Sequence, residues 1–404
     1  MRRLVLAACT LVVLTPVATA VPAGAQDDPI TWWALGDSYS SGEGIPGTEP
    51  PAPGQPECAR ASGNNTSAKA WAVVAREKMA EPRVTSWAFT PCTGATSSDV
   101  EGQMSQAATA SGTEQADIVT LSMGGNDILF ADVIRNCIDI EASWNSIPPG
   151  CSIDEATLRN RIDMLVGSTP PEKGKYSGIT LPTLYDRIAD KMRRGGAVIV
   201  LGYPQIIEEV SRWAGWRRKI TRNCEAVQMS DVAMLRSVAG YLNQQIALAV
   251  QAADARWSRK GIRFHWRDIA TGVYETGGRP DQRHALCSSK PWLNGLSIGI
   301  TSGDFRTERS FHPTQEGHTA TGTWLGNWMR SDLGVDRMGR KPESPGWDEI
   351  KDAPIPAMCG HPPATLVDGK DTSSVPTTGS SSCWRPYPTA NPAWCRAYPV
   401  KWGH

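Results

Sequence analysis

Several absences narrow the reading before any motif is considered. The 404 residues carry 41 Lys plus Arg against 41 Asp plus Glu, so no overall field exists to gather nucleic acid or an anionic membrane. No Cys-x-x-Cys occurs, which argues against a zinc or dithiol redox centre. Beyond the N-terminal stretch no apolar run approaches the ~18 residues of a membrane span. Internal repeats are lacking too. What is present is a hydrophobic fraction of 40%, enough to bury a sizeable core and to exclude wholesale disorder. Thirty Pro and 38 Gly imply many loops. At ~100–200 residues per domain, the length allows two or three domains, or one large α/β domain with an appendage.

The first 25 residues read as an export signal. Arg2 and Arg3 precede an apolar run over 4–20, and Ala23-Gly24-Ala25 supplies a small-x-small cleavage site. The mature protein is therefore expected to be secreted, soluble and monomeric. Cys9 comes too early in the run for a lipoprotein box. Nine further cysteines would meet oxidising conditions after export. Nearest-neighbour pairing joins Cys58 to Cys92, Cys137 to Cys151 and Cys224 to Cys287, and leaves Cys359, Cys383 and Cys395 as an odd set. After Gly334 the composition turns to Pro, Gly, Ser and Thr and helical periodicity vanishes. The expected division is a signal at 1–25, a catalytic domain at 26–334 and a loop-rich extension at 335–404.

Short apolar runs at 31–35, 84–89, 116–123, 197–203 and 262–266 read as strands. Between them, helical spacing recurs at 67–80, 127–136, 154–166, 181–194 and 225–258, with a last helix at 314–332. Single strands separated by helices predict a parallel sheet covered on both faces, whose ligands bind beyond the carboxyl ends of the strands.

Four motifs fall at those ends. GDSYSSGEG (36–44) follows the first strand, and its glycine-flanked turn would project the Ser38 hydroxyl into the crevice. An ordinary Gly/Ser turn has the same letters. SMGGNDI (122–128) offers the Asn126 amide as a donor, with Asp127 expected to cap the next helix. PCTGAT (91–96) presents Gly94, a plain turn glycine when taken alone. FHPTQEGH (311–318) places His312 on a loop just before a helix start marked by Pro313, where it could act as a general base. His318 should lie inside that helix in a packing or capping role, and His265, His284 and His361 are read as structural.

Together and in this order, the four motifs resemble the SGNH (GDSL) hydrolase family, in particular its secreted actinobacterial esterase and lipase branch. The matching motifs span residues 36–318. The resemblance implies a flavodoxin-like three-layer α/β/α sandwich around a central parallel sheet. It also implies ester hydrolysis, with Ser38 as nucleophile and His312 as general base. The oxyanion donors it implies are the Ser38 N–H, the Gly94 N–H and the Asn126 side chain. Asp37 matches the family Asp that braces the nucleophile loop, and the cysteine order resembles the branch with three disulfides. The chain departs from the common pattern three residues before the histidine, where Arg309 replaces an Asp. By resemblance to Ser–His dyad members, the Arg309 main-chain carbonyl is expected to orient the imidazole, with Asp304 and Glu308 as secondary alternatives. No cofactor or metal is implied.

One basic-aromatic cluster, 212–222 around Trp213 and Trp216, reads as a solvated loop leading to Cys224. Its sharper alternatives are an interfacial patch for lipid or a binding lip over the crevice. The expected substrate is a small-molecule or lipid ester, with no nucleic-acid partner. The rival functions are polysaccharide O-deacetylation and a non-catalytic wall- or glycan-binding role on the same fold.

Overall fold

The computed structural model describes residues 29–46, 58, 69–130, 133, 137, 151, 153–170, 176, 178–213, 223–224, 227–295, 299–301, 304–306 and 310–333. The expected signal at 1–25 and extension at 335–404 lie outside the described residues.

The central sheet has five parallel strands: β1 (Ile30–Ala34), β2 (Val84–Phe89), β3 (Ala116–Leu121), β4 (Met192–Leu201) and β5 (Arg263–Arg267). Their spatial order is β2-β1-β3-β4-β5. This is a doubly wound order, and its direction reverses between β1 and β3. Every residue of β1 and β3 is buried, so the central strands are covered on both faces and read as continuous apolar runs rather than alternating ones. Trp32 and Trp33 are fully buried on successive positions, one toward each face. Truncation of either to Ala would cost roughly 3–5 kcal/mol.

The helices are α1 (Ser38–Ser41), α2 (Trp71–Met79), α3 (Val100–Ser111), α4 (Glu155–Leu165), α5 (Leu181–Asp190), α6 (Met229–Trp257) and α7 (Gln315–Ser331). α5 shows why such segments form: Leu181, Leu184, Tyr185 and Ile188 fall on one buried face, and a Pro sits in its first turn. The α4 start is fixed by Asp154, whose carboxylate accepts from Thr157 N at 2.7 Å. α7 lies directly on α2, where a Cβ at Gly322 or Gly326 would come within 2.5 Å of the carbonyl of Trp71 or Ala75. Two glycines thus let the helix that follows His312 seat closely against the body of the domain.

Several boundaries differ from the sequence expectation. The helix expected over 181–194 ends at Asp190, because Met192 pairs with Ala116 and is drawn into the sheet before a register shift to Ala197. The long helix begins at Met229, after a two-residue pairing of Asn223–Cys224 with Val227–Gln228. Residues 125–129 form turns rather than the start of a helix, and Leu129 takes φ +59°. Asp127 consequently spends its carboxylate on the Ser97 N–H (3.0 Å) and hydroxyl (2.5 Å) instead of on a helix start. Disulfides join Cys58 to Cys92 and Cys137 to Cys151. Cys287 is also disulfide-bonded, while the side chain of Cys224 lies outside the described residues. Trp213 is 4% exposed and donates from Nε1 to Glu208 O at 2.8 Å, so it is a packed residue rather than part of a solvated loop. Residues 214–222 lie outside the described residues. Among the described residues no helix is long and apolar enough to cross a membrane.

Candidate active site

β1 does not stop its pairing at Ala34. Leu35 N donates to Thr120 O at 2.9 Å and Asp37 N to Ser122 O at 3.2 Å, which carries the chain to the carboxyl edge of the sheet. Gly36 sits between, at φ +127°, a backbone conformation open to glycine. A Cβ there would meet Ser40 Oγ at 2.5 Å and Ser122 O at 2.8 Å. The Gln103 side chain clamps the same residue, accepting from Gly36 N at 2.8 Å and donating to Gly36 O at 2.9 Å.

The turn that follows is the four-residue α1, opened by Asp37, whose carboxylate accepts from Tyr39 N at 3.0 Å. Ser38 is its first residue and is 7% exposed. Its own N–H makes no hydrogen bond among the described residues. Asp37 also accepts from Ser122 Oγ at 2.7 Å and from the Tyr203 hydroxyl. Burial pushes the Asp37 carboxyl up, against the three donors that favour its charged form. The Tyr203 hydroxyl in turn accepts from Gly125 N at 3.0 Å. One phenol therefore ties the loop after β1 to the loop after β3, where Asn126 lies.

Asn126 Nδ2 donates to Ala95 O at 2.9 Å. An amide nitrogen has two hydrogens, so this bond orients the group and leaves the second hydrogen without a partner among the described residues. Gly94, one residue before Ala95, is exposed, and its N–H is unpaired among the described residues.

His312 arrives from the other end of the chain. Phe311 takes φ +68°, a conformation that costs a bulky residue roughly 1–3 kcal/mol and must be imposed by its surroundings. Phe311 N donates to Asn294 O at 2.9 Å, and Tyr39 Oη donates to Phe311 O at 2.8 Å. Asn294 Nδ2 further reaches Gly44 O and His312 O, each at 3.0 Å. Thr314 then caps α7 by accepting from Gly317 N. The result sets His312 Nε2 2.8 Å from Ser38 Oγ, and Nδ1 3.1 Å from Ser310 O. A carbonyl can only accept, so Nδ1 carries the proton and Nε2 is left as the acceptor for the serine hydroxyl.

Of the expected site residues, Ser38 and His312 are in direct contact, Asn126 and Gly94 flank Ala95, and Asp37 lies beneath the turn. The Nδ1 partner is the carbonyl of Ser310, two residues before the histidine. The expected orienters Arg309 and Glu308, and the Asp304 side chain, lie outside the described residues. The sequence reading did not single out Gln103, Tyr203, Asn294 or Ser310. His318 is fully buried in α7, accepts from Trp71 N at 3.3 Å, and is pushed down to about 3 by burial. Glu43, the acid of the first motif, is 3% exposed, with Oε2 at 3.8 Å from His312 Nε2. Beside Phe311, a small recess is lined by Phe130, Ile206, Ile207, Val227 and Leu235, with Gln205 and Arg236 at its polar side. Among the described residues no group of three or more His, Cys, Asp or Glu is gathered as a metal site would require.

Residues 34–320 match the GDSL-like lipase/acylhydrolase family. Lipase 1 of Streptomyces coelicolor is 30% identical over 320 residues, covering 78% of this chain and 91% of its own length. The lipase of Streptomyces rimosus is 27% identical over 318 residues, covering 78% and 93%. Among solved structures, phospholipase A1 from Streptomyces albidoflavus NA297 aligns with 25% identity over 74% of this chain and 98% of its own, at a TM-score of 0.47. The class that follows is a carboxylic ester hydrolase built on a doubly wound α/β sheet. The chain belongs to the GDSL-like lipase/acylhydrolase family.

Proposed function

We propose that the protein is a secreted serine esterase or lipase that works through an acyl-enzyme on Ser38. The observation that carries this reading is the 2.8 Å contact between Ser38 Oγ and a His312 Nε2 left unprotonated by the Ser310 carbonyl on Nδ1. His312 takes the hydroxyl proton as Ser38 Oγ forms a bond to the ester carbonyl carbon. The carbonyl π pair moves onto oxygen, where Ser38 N–H, Gly94 N–H and the second Asn126 N–H meet it, each contributing about 3 kcal/mol in the transition state. Collapse breaks the bond to the alkoxy oxygen, which leaves with the proton held by His312. Water, deprotonated by the same imidazole, then cleaves the acyl-serine and releases the acid.

The Ser310 carbonyl replaces Arg309 O as the group proposed to orient the imidazole. Arg2, Arg3 and the apolar run after them support export, with the catalytic domain at 26–334 and a separate extension beyond it. The test is a fluorophosphonate probe followed by peptide mapping. Labelling of Ser38 in the wild type, lost in Ser38→Ala together with turnover of p-nitrophenyl butyrate, is the expected outcome. Undiminished turnover by Ser38→Ala would overturn the reading.

A further inference from the structure

In a Ser-His-Asp triad the aspartate does two jobs: it holds the ring through Nδ1–H, and it supplies negative charge when the imidazolium forms. Here the first job falls to the Ser310 carbonyl, 3.1 Å from Nδ1, which carries no net charge. The position three before the histidine is Arg309. Among the described residues no carboxylate meets Nδ1, which leaves the Nε2 side as the place where a counter-charge is seen.

We propose that Glu43 is a positioning residue that supplies this counter-charge from the Nε2 side, so that orientation and charge compensation are divided between Ser310 and Glu43. The proposal rests on the reading of Ser38 and His312 as nucleophile and base. Glu43 Oε2 lies 3.8 Å from His312 Nε2 and accepts no hydrogen bond. The side chain is 4% exposed and is paired with no Lys or Arg among the described residues. A buried carboxylate with an idle oxygen is costly unless a cation comes to meet it. The group facing it is one that becomes cationic during turnover.

The surroundings support Glu43 in that role over its neighbours. Asp37 is within electrostatic reach of His312, but its carboxylate already receives Tyr39 N, Ser122 Oγ and the Tyr203 hydroxyl, and burial works against its charged form. His318 faces the pair from α7 and contacts the Glu43 backbone. Burial holds His318 neutral, so it does not compete as a cation. Tyr39, with its ring centroid 5.1 Å from that of His312, is likewise held neutral by burial. Glu43 N donates to Ser38 O at 3.3 Å, which couples the acid to the nucleophile turn.

The test compares full-length wild type, Glu43→Gln and Glu43→Asp on p-nitrophenyl butyrate between pH 4.5 and 9, with fluorophosphonate labelling alongside. Glu43→Gln keeps the shape and removes the charge. Its kcat should fall about 10- to 100-fold with KM within about twofold. Negative charge favours the protonated imidazole, so its loss should move the acid limb of the kcat/KM profile about one pH unit lower. Glu43→Asp retains the charge but retracts it, and should lie between the two. A Glu43→Gln enzyme whose acid limb does not move overturns the proposal, whatever its kcat, because a purely structural role would leave the limb in place. Where the Gln variant fails to fold, Glu43→Ala, which also removes the charge, decides in the same way, and an unmoved limb refutes. Failure of the underlying reading looks different: Ser38→Ala would then retain turnover, independent of anything at position 43.

Discussion

The Asn126 amide offers the sharpest separation of chemistry from stability. Its Nδ2 is anchored on Ala95 O at 2.9 Å, and its second hydrogen is the proposed oxyanion donor. Asn126→Ala removes both. Loss of one preorganised donor costs about 2.7–4 kcal/mol in the transition state, which is a fall of about 10² to 10³ in kcat. Loss of the Ala95 bond costs about 1 kcal/mol of folding stability, a shift of roughly 2–4 °C in Tm for a domain of this size. The substrate carbonyl is only weakly polarised before attack, so KM should change by less than about threefold. The assay is kcat and KM on p-nitrophenyl butyrate, with Tm by circular dichroism at the same pH. A kcat within about threefold of wild type would refute the donor assignment. So would a KM that rose while kcat held, since that signals uniform binding rather than transition-state stabilisation.

Two further predictions concern stability. Burial raises Asp127 to about 7, above its unfolded value of 3.8, so a proton binds the folded state more tightly. Its contribution to stability is full below about pH 4 and is lost as pH rises through 7, amounting to about 4 kcal/mol. Asp127→Asn should thus gain on wild type as pH rises from 4 to 8, read as the difference in Tm between the two, and a constant difference would contradict it. Trp213, packed and bonded to Glu208 O, should cost about 3–5 kcal/mol when changed to Ala, measured by urea unfolding. A cost under about 1 kcal/mol would return Trp213 to the solvated loop that its basic neighbours suggest.

Four strands were legible because each is a short run rich in β-branched or aromatic residues and starts within a position of its expected segment, whereas β4 starts five positions early, at Met192 rather than Ala197. α3 was missed: VEGQMSQAATAS carries Gly, Ser and Thr and has only a weak apolar stripe. The helix expected through 194 failed because a backbone pairing between Met192 and Ala116, invisible in local periodicity, outweighed helix propensity there. At the site, the four motifs marked Ser38, Gly94, Asn126 and His312 through turn chemistry next to strands. The residues that hold them were not legible, since Gln103 meets Gly36 across 67 positions and Tyr203 meets Asp37 across 166. Glu43 lay in plain view inside the first motif. Only its 3.8 Å approach to a residue from the opposite end of the domain suggests the role proposed for it.

That separation has a consequence for how the molecule comes alive. Ser38 belongs to the first strand-to-helix turn, whereas its imidazole is delivered by the segment leading into α7, which two glycines press onto α2. On the proposed mechanism, a polypeptide interrupted before His312 would keep the Ser38 hydroxyl and lack the imidazole meant to activate it. On the same mechanism, turnover would therefore also report that α7 has seated against α2.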